Sequence, residues 1–311
     1  MSGRLLKLAI ALALLALLWS VPYLASAYWL QLGFRALQLL SLAVAWNLLA
    51  GYCGQVSLGT GAFVGLGAYA FTLWGNHGGP MILVQLLAAA VTAGTFAAVV
   101  SVGLFRLRGL YFTIGTLALA EALRILMVNL AAFGGASGIV LASPTPSFGL
   151  LYWLALSIAL LTMALAALIA RSPISLSMRA VRDDEEVARA MGVRTFRVKL
   201  GVLVLSAVLM GVVGGVQALK LGAIEPYGAF GLSWTIDTVA VVIIGGLGTR
   251  LGPVVGTLIY IVLGELLRNV PELHGVVTGV FLVLVIRLAP QGLWGLLQRR
   301  WSRPAREALD A

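Results

Sequence analysis

The chain has 311 residues, of which 61% are apolar and only 10% are charged, and its mean hydropathy is +1.03. Soluble globular domains carry charge on about a quarter of their residues, so this composition excludes a water-soluble protein. The formal net charge of +10 is interpreted as Lys and Arg in cytoplasmic loops, and no nucleic-acid partner is predicted. Cys53 is the only cysteine, which excludes an internal disulfide and a thiolate metal cluster.

The hydropathy pattern predicts an all-α membrane protein, a polytopic bundle of about ten transmembrane helices of near 20 residues each. A β-barrel is excluded because the apolar runs lack the apolar/polar alternation of barrel strands. The whole chain, 1–311, is predicted to form a single transmembrane domain, and its first apolar run is interpreted as a retained span rather than a cleaved signal peptide. The predicted spans are 5–25, 30–50, 56–74, 81–105, 111–133, 149–170, 198–219, 233–247, 253–268 and 275–290.

The distribution of Lys and Arg predicts that both termini are cytoplasmic. With ten spans in this orientation, 17 of the 21 basic residues fall on the cytoplasmic side, as the positive-inside rule requires. The four exceptions are Arg35, Arg124, Lys220 and Arg268. The cytoplasmic regions include a basic loop, 171–199, and a polar C-terminal tail, 298–311, whose arginines are interpreted as anchors to anionic lipid headgroups.

Three predicted spans, 56–74, 233–247 and 253–268, are short or rich in glycine. Glycine at this density permits close helix packing, and it also permits unwound backbone where the chain lines a cavity. The segments 55–61 and 245–249 are therefore candidates for broken helices whose N-termini face an anionic group such as a carboxylate. Simple tight packing is the alternative. A nucleotide-binding loop is not predicted, because no Lys-Ser/Thr pair follows the glycines.

Polar side chains inside predicted spans are costly in lipid and are therefore candidates for function. Glu121 and Arg124 lie three residues apart on one helical face and can pair, so a structural ion pair is the alternative for them. The candidates for the translocation path are Gln55, Ser57, Gly59, Glu121, Asn129 and Asp237. His77 and His274 have no Cys or carboxylate neighbour at ligand spacing, so neither a metal nor a cofactor is predicted. No nucleophile–base pair is evident, and the chain is predicted not to be an enzyme.

The basic loop 171–199 is the most informative hydrophilic stretch. Pro173 is expected to end the preceding span, because proline cannot donate a backbone hydrogen bond in a helix interior. Residues 183–191 are predicted to form a short amphipathic helix at the membrane surface. Acidic residues crowd its first turn, where the helix dipole favours them, and Gly192 suits its C-cap.

This helix carries a small apolar face, because Val187 and Met191 lie at positions i and i+4 with Ala188 beside them. One interpretation is a solvated connector whose arginines only set the orientation of the protein. The other is a coupling helix that docks into a groove on a cytoplasmic partner.

The segment 179–193 has the sequence RAVRDDEEVARAMGV and resembles the cytoplasmic segment of permease subunits of branched-chain amino acid ABC importers. Further stretches resemble the same family in the same order: 45–69 (AWNLLAGYCGQVSLGTGAFVGLGAY), 106–117 (RLRGLYFTIGTL), 134–139 (GGASGI), 245–257 (GGLGTRLGPVVGT) and 289–296 (APQGLWGL). The chain departs from the family at Leu110, where aspartate is common, and at Phe133, where threonine is frequent. The resemblance covers residues 36–297.

The resemblance implies a multi-pass permease of the inner membrane that translocates branched-chain or hydrophobic amino acids without hydrolysing ATP itself. The implied partners are a second, similar permease subunit, two cytoplasmic ATP-binding subunits, an extracytoplasmic solute-binding protein and membrane lipid. The residues implied to couple to the ATPase subunit are Arg182, Glu186, Ala188, Ala190 and Gly192.

Three alternatives stay open for the function. The same machinery could carry urea or short amides, or the chain could be a permease of the related ribose type for sugars. An ion-coupled secondary transporter would instead need a carboxylate that titrates with transport, for which Glu121, Asp237 and Glu265 are the candidates.

Overall fold

The computed structural model describes residues 16–79, 81–268, 270–289 and 292–295. Within these ranges the chain is almost entirely helical, which confirms the predicted all-α class. The helices are α1 (16–24), α2 (Ala27–Trp46), α3 (Thr60–Gly78), α4 (Ile82–Leu104), α5 (Leu110–Asn129), α6 (Phe148–Arg171), α7 (Ile174–Asp183), α8 (Glu185–Ala190), α9 (Thr195–Leu221), α10 (Pro226–Ala229), α11 (Ser233–Gly245), α12 (Gly252–Leu266) and α13 (Pro271–Leu288).

One small sheet interrupts the helices. Strand β1 (Ile139–Val140) pairs antiparallel with strand β2 (Ala223–Ile224). The sequence analysis did not predict it, because two-residue strands are too short to have a periodicity of their own. The pair joins the loop after α5 to the end of α9.

Six helical segments in the described part of the chain are long and apolar enough to cross a membrane. They are Ala27–Tyr52, Ile82–Leu104, Leu110–Asn129, Phe148–Arg171, Thr195–Leu221 and Pro226–Gly245. Shorter apolar helices follow at Gly252–Leu266 and Gly275–Val285. The count of ten spans and the cytoplasmic termini remain predictions, and most of the predicted first span and the whole tail 298–311 lie outside the described residues.

The bundle has two distinct ends. At the loop end, α7 contacts the π-helical turn Asn47–Tyr52 that continues α2, where Arg182 Nη1 donates to the carbonyl of Gly51 over 3.0 Å. At the strand end, β1 and β2 pair beside the C-terminus of α9. All the described Lys and Arg residues belong to the loop end except Arg35, Arg124, Lys220 and Arg268. The positive-inside rule assigns such an end to the cytoplasm.

Helix α9 is the centre of the bundle and packs against α3 and α4 through glycine. A Cβ added to Gly67 on α3 would lie 2.0 Å from the carbonyl oxygen of Gly211 on α9. A Cβ added to Gly214 would lie 2.0 Å from the carbonyl oxygen of Val64. The backbones of α3 and α9 therefore meet without intervening side chains, as small residues allow in membrane bundles.

This contact predicts different effects for two glycine-to-alanine changes on α9. Gly214→Ala should lower the free energy of unfolding by about 3 kcal/mol, because the new methyl group overpacks a closed contact. Gly201→Ala is the matched control, because a Cβ there meets nothing within 4 Å. It should be neutral or stabilise by up to about 1 kcal/mol through helix propensity. Denaturant unfolding in detergent measures both, and equal effects of the two substitutions would contradict the packing.

Candidate functional site

The first long membrane helix ends in an unwound segment. Helix α2 continues as a π-helix over Asn47–Tyr52, and residues 53–59 are not helical. Helix α3 then begins at Thr60 and runs to Gly78. The predicted span 56–74 was therefore wrong at both ends, because the sequence shows the apolar run but not the break within it. A broken helix among 55–61 was nevertheless among the expectations.

Helix α2 and the unwound segment itself supply hydrogen-bond partners for some of the backbone groups of residues 53–59. Trp46 Nε1 donates to the carbonyl of Ser57 over 2.7 Å. The hydroxyl of Ser57 accepts from the backbone N–H of Gly59 over 3.1 Å. Both Ser57 and Gly59 are buried, and a Cβ at Gly59 would lie 2.9 Å from the carbonyl oxygen of Thr116. These two translocation candidates therefore hold the shape of the segment.

Threonines on neighbouring helices satisfy three more backbone groups of the unwound segment. On α5, Thr113 Oγ1 donates to the carbonyl of Val56 over 2.8 Å, and Thr116 Oγ1 accepts from Leu58 N over 2.9 Å. On α11, Thr235 Oγ1 donates to the carbonyl of Leu58 over 3.1 Å. Such side-chain partners replace the helix hydrogen bonds that unwound backbone at membrane depth would otherwise lack. The sequence analysis missed all three threonines, since an isolated threonine in an apolar helix has no distinguishing pattern.

Asn47 links this break to a second break, between α11 and α12. Its amide Nδ2 donates to the carbonyl of Thr249 over 2.9 Å, and its Oδ1 accepts from Gly248 N over 2.8 Å. The approach is so close that a Cβ at Gly51 would lie 2.5 Å from Gly248 N. The two glycine-rich segments of the sequence, 55–61 and 245–249, are thus joined at the loop end through the π-helix.

The basic loop contains two helices, α7 and α8, where one was predicted. The predicted helix 183–191 was wrong at its start, because Asp183 ends α7 and Asp184 is the N-cap of α8. Asp184 Oδ1 accepts from the backbone N–H groups of Glu186 and Val187 over 2.8 and 3.0 Å. Pro173 follows the end of α6, as predicted. The analysis missed α7 because proline is also well tolerated in the first turn of a new helix.

The C-cap of α8 is Met191, and the predicted Gly192 stands one residue beyond it and turns the chain out of the helix. Gly192 has φ = +87°, a conformation that favours glycine. Val193 N donates to the carbonyl of Ala188 over 3.0 Å. Ala188 is buried, whereas Ala190 and Gly192 are exposed. Ala188 therefore serves the packing of this short helix and Gly192 its termination, whereas Ala190 lies exposed on it.

The other two predicted coupling residues make charged contacts. Arg182 binds the carbonyl of Gly51 at the end of the π-helix and lies 3.2 Å from a carboxylate oxygen of Asp183. Glu186 accepts from Arg108 Nη1 over 2.6 Å, and both side chains are largely exposed. An exposed pair contributes little stability. Arg182 is the residue that ties the loop to the membrane break.

A buried ion pair fixes α8 to α9. Lys199 Nζ lies 2.8 Å from Glu185 Oε2, and the Lys199 side chain is only 3% exposed. Arg189 approaches the other oxygen of Glu185 at 3.2 Å. Burial raises the pKa of Glu185, but the hydrogen bond and the charge of Lys199, with help from Arg189, outweigh burial and leave this pKa below its ordinary value.

The apolar face of α8 points away from the bundle. Val187 is 58% exposed and Met191 is 82% exposed. A helix that is anchored on one side by Ala188 and Lys199 and bare on the other is suited to receive another protein.

The remaining translocation candidates fall into two groups. Gln55 is partly exposed on the unwound segment, beside α5. Glu121 and Asn129 lie on the exposed face of α5, where Glu121 forms its predicted ion pair with Arg124. Asp237 lies apart from them on α11, where its Oδ1 accepts a 2.6 Å hydrogen bond from Tyr260 of α12.

The Glu185 anchor predicts that α8 loosens in acid. A carboxylate with a lowered folded pKa stabilises fully above its ordinary value of 4.5, and this stabilisation is lost as the pH falls through the lowered value. A spin label at Met191→Cys should therefore become mobile below that pH, as seen by electron paramagnetic resonance. Glu185→Gln should be mobile already at neutral pH, and the control Glu186→Gln should not. An immobile label in Glu185→Gln would contradict the anchor.

Comparisons with known proteins agree with these features. Residues 28–286 match a family described as the branched-chain amino acid transport system / permease component. The chain is 27% identical to the high-affinity branched-chain amino acid transport system permease protein LivM of Escherichia coli (strain K12), over 91% of this chain and 73% of that protein. It is 24% identical to the probable branched-chain amino acid transport permease protein LivM of Methanocaldococcus jannaschii, over 68% of each chain.

A relative with another name also matches. The autoinducer 2 import system permease protein LsrC of Yersinia enterocolitica is 27% identical over 65% of this chain and 58% of its own length. No solved structure matches the chain significantly. The family match spans most of the chain, and the apolar helices agree with it. The chain therefore belongs to the branched-chain amino acid transport permease family and is a multi-pass permease of the inner membrane.

Proposed function

We propose that this permease is the membrane-spanning subunit of an ATP-binding-cassette importer for branched-chain or hydrophobic amino acids. The names of the LivM relatives support this substrate class. The subunit itself is passive. It works with a second, similar permease, two cytoplasmic ATP-binding subunits and an extracytoplasmic solute-binding protein.

The observation that carries the proposal is the hydrogen bond from Arg182 to Gly51. Arg182 belongs to α7, so the bond connects α7 to the π-helix at the head of the unwound segment, and α7 in turn packs against α8 with its exposed apolar face. An ATP-binding subunit that binds Val187 and Met191 would move α8 together with α7, against which α8 packs. Arg182 of α7 would pass that movement to Gly51. Asn47 would extend the movement to Gly248 and Thr249 at the second break.

The translocation path is proposed to follow the unwound segment and the exposed face of α5. Gln55 lies at its loop end, and Glu121 and Asn129 lie towards the strand end. Unwound backbone beside a cavity can bind the polar ends of an amino acid while apolar side chains of α5 accept its hydrocarbon part. The hydrogen bonds of Ser57 and Gly59 keep this backbone in position.

The alternatives differ in how well the chain supports them. The LsrC relative indicates that permeases with this sequence pattern import chemically different solutes, so urea, short amides or sugars remain open as cargo. An ion-coupled transporter needs a carboxylate that is free to bind and release the ion, and each of the three candidates already has a partner. Glu121 and Glu265 each form an ion pair with an arginine three residues away, and Asp237 binds Tyr260.

The coupling role of Arg182 predicts an uncoupled importer. In vesicles containing the complete complex, Arg182→Gln should lower leucine uptake per ATP hydrolysed about tenfold, because a charge-assisted hydrogen bond contributes about 1.5 kcal/mol or more. Arg179→Gln is the control, because it removes the same charge from an exposed side chain of the same helix, α7. Parallel assays of radiolabelled uptake and phosphate release measure the ratio. Equal ratios in both variants would contradict the role.

The energy source gives a separate prediction. Uptake by the complete complex should require ATP and should persist when a protonophore removes the proton gradient. The measurement is uptake with ATP held constant inside the vesicles. Uptake that stops on adding the protonophore would replace the importer proposal with the ion-coupled alternative.

A further inference from the structure

Three of the four basic residues outside the loop end share one cavity. The cavity lies at the strand end between α2, α9 and α12, has a volume of about 480 Å³, and is lined by Arg35, Lys220 and Arg268 together with Tyr28, Tyr260 and Ile261 among others. Arg35 and Lys220 belong to membrane-spanning helices. The proposed transport mechanism uses none of these cations.

Two of the cations are not neutralised. Arg268 pairs with Glu265 over 3.3 Å. Among the residues that the structure describes, neither Arg35 nor Lys220 has a carboxylate within 4.0 Å. Lys220 Nζ lies 4.7 Å from the centre of the Phe34 ring. A cation–π contact offsets only part of the cost of a cation removed from water.

The charges behind and around this cavity have partners of their own. Asp237 stands behind the wall, where its carboxylate accepts a hydrogen bond from Tyr260. The guanidinium of Arg268 lies 4.8 Å from the centre of the Tyr28 ring and, with Glu265, forms a neutral rim. The hydrogen bond from the neutral Tyr260 hydroxyl does not cancel the charge of the Asp237 carboxylate. Arg35 and Lys220 are nevertheless two cations against this single carboxylate, so the cavity keeps an excess of positive charge.

The cavity is remote from the proposed translocation path. It is bounded by α2 and α12, whereas the unwound segment contacts α5. Outside the cavity, α12 exposes Leu258, Val262 and Leu266. Such an apolar surface faces hydrocarbon in a membrane protein.

Aromatic residues mark the depth of the cavity in the membrane. Tyr28 lines it, and Trp29 beside Tyr28 is exposed. Tyr and Trp concentrate at the level of the lipid headgroups. Tyr28 thus marks the mouth of the cavity at the level of the headgroups, Lys220 lies in the last turn of α9, and Arg35 lies about two turns deeper along α2.

We propose that this cavity binds the headgroup of an anionic phospholipid. Arg35 and Lys220 hold the phosphodiester, because a guanidinium and an ammonium are the side chains that best bind phosphate oxygens. The acyl chains lie along the exposed apolar side chains of α12, among them Leu258 and Val262. The lipid supplies the negative charge that the described part of the chain does not place beside the two cations.

The test uses the full-length protein in detergent with added phosphatidylglycerol, phosphatidylcholine or inorganic phosphate. Native mass spectrometry counts the bound lipid, and thermal unfolding reports stabilisation. Wild type should retain phosphatidylglycerol in preference to phosphatidylcholine. The double substitution Arg35→Gln/Lys220→Gln should weaken retention about tenfold or more, as expected for two cations at a membrane surface. Arg197→Gln, an exposed arginine at the loop end, is the control and should retain the lipid.

A conservative variant protects the test against misfolding. Lys220→Arg keeps the positive charge and should retain phosphatidylglycerol even if the double variant is poorly folded. Equal retention in the double variant and the control, or loss in Lys220→Arg, would overturn the site. Stabilisation by inorganic phosphate alone, equal to that by phosphatidylglycerol, would overturn the assignment to lipid. Transport is not measured, so the outcome is independent of the proposed function.

Discussion

Backbone that leaves a helix inside a membrane protein must find protein partners for its N–H and C=O groups, because hydrocarbon offers none. The segment 53–59 depends on this constraint. Trp46, Thr113, Thr116 and Thr235 supply partners from three different helices. The break can therefore exist only if α2, α5 and α11 are already assembled around it. Its shape depends on the bundle as well as on local bonds such as that between Ser57 and Gly59.

The same dependence joins the break to the basic loop. Arg182 binds the carbonyl of Gly51, and Asn47, one turn earlier, binds both Gly248 and Thr249. Three separate parts of the chain thus meet at one end of α2. The short helix α8 packs against α7, is held to α9 by the ion pair of Glu185 with the buried Lys199, and leaves its apolar side chains exposed. Attachment on one face and exposure on the other are the features that the proposed coupling helix requires.

Features set by local spacing could be predicted from the sequence. The helical class follows from hydropathy, the turn out of α8 follows from Gly192, and the pairing of Glu121 with Arg124 follows from their separation by three residues. The prediction of α8 was correct in type and wrong at its start, because Asp183 and Asp184 are both good helix starters and only the fold decides between them.

Features set by distant contacts could not be predicted. Asn47 was recognisable as an intramembrane polar residue, but its partners lie 201 and 202 residues away. The threonines that satisfy the unwound segment look like ordinary residues of apolar helices. The cavity of Arg35 and Lys220 is similar: the sequence marks both as exceptions to the charge rule, and only the packing of α2 against α9 brings them together.

The direct meeting of α3 with α9 also limits how the protein can move. Where Gly67 faces Gly211 and Gly214 faces Val64, the gap cannot admit a methyl group. Rotation of either helix about its own axis would swing a larger neighbouring side chain into that gap. The two helices are therefore packed too closely to rotate independently, and the seven non-helical residues between Tyr52 and Thr60 connect this pair to α2. In the proposed coupling, a displacement of Gly51 would tilt α3 and α9 together.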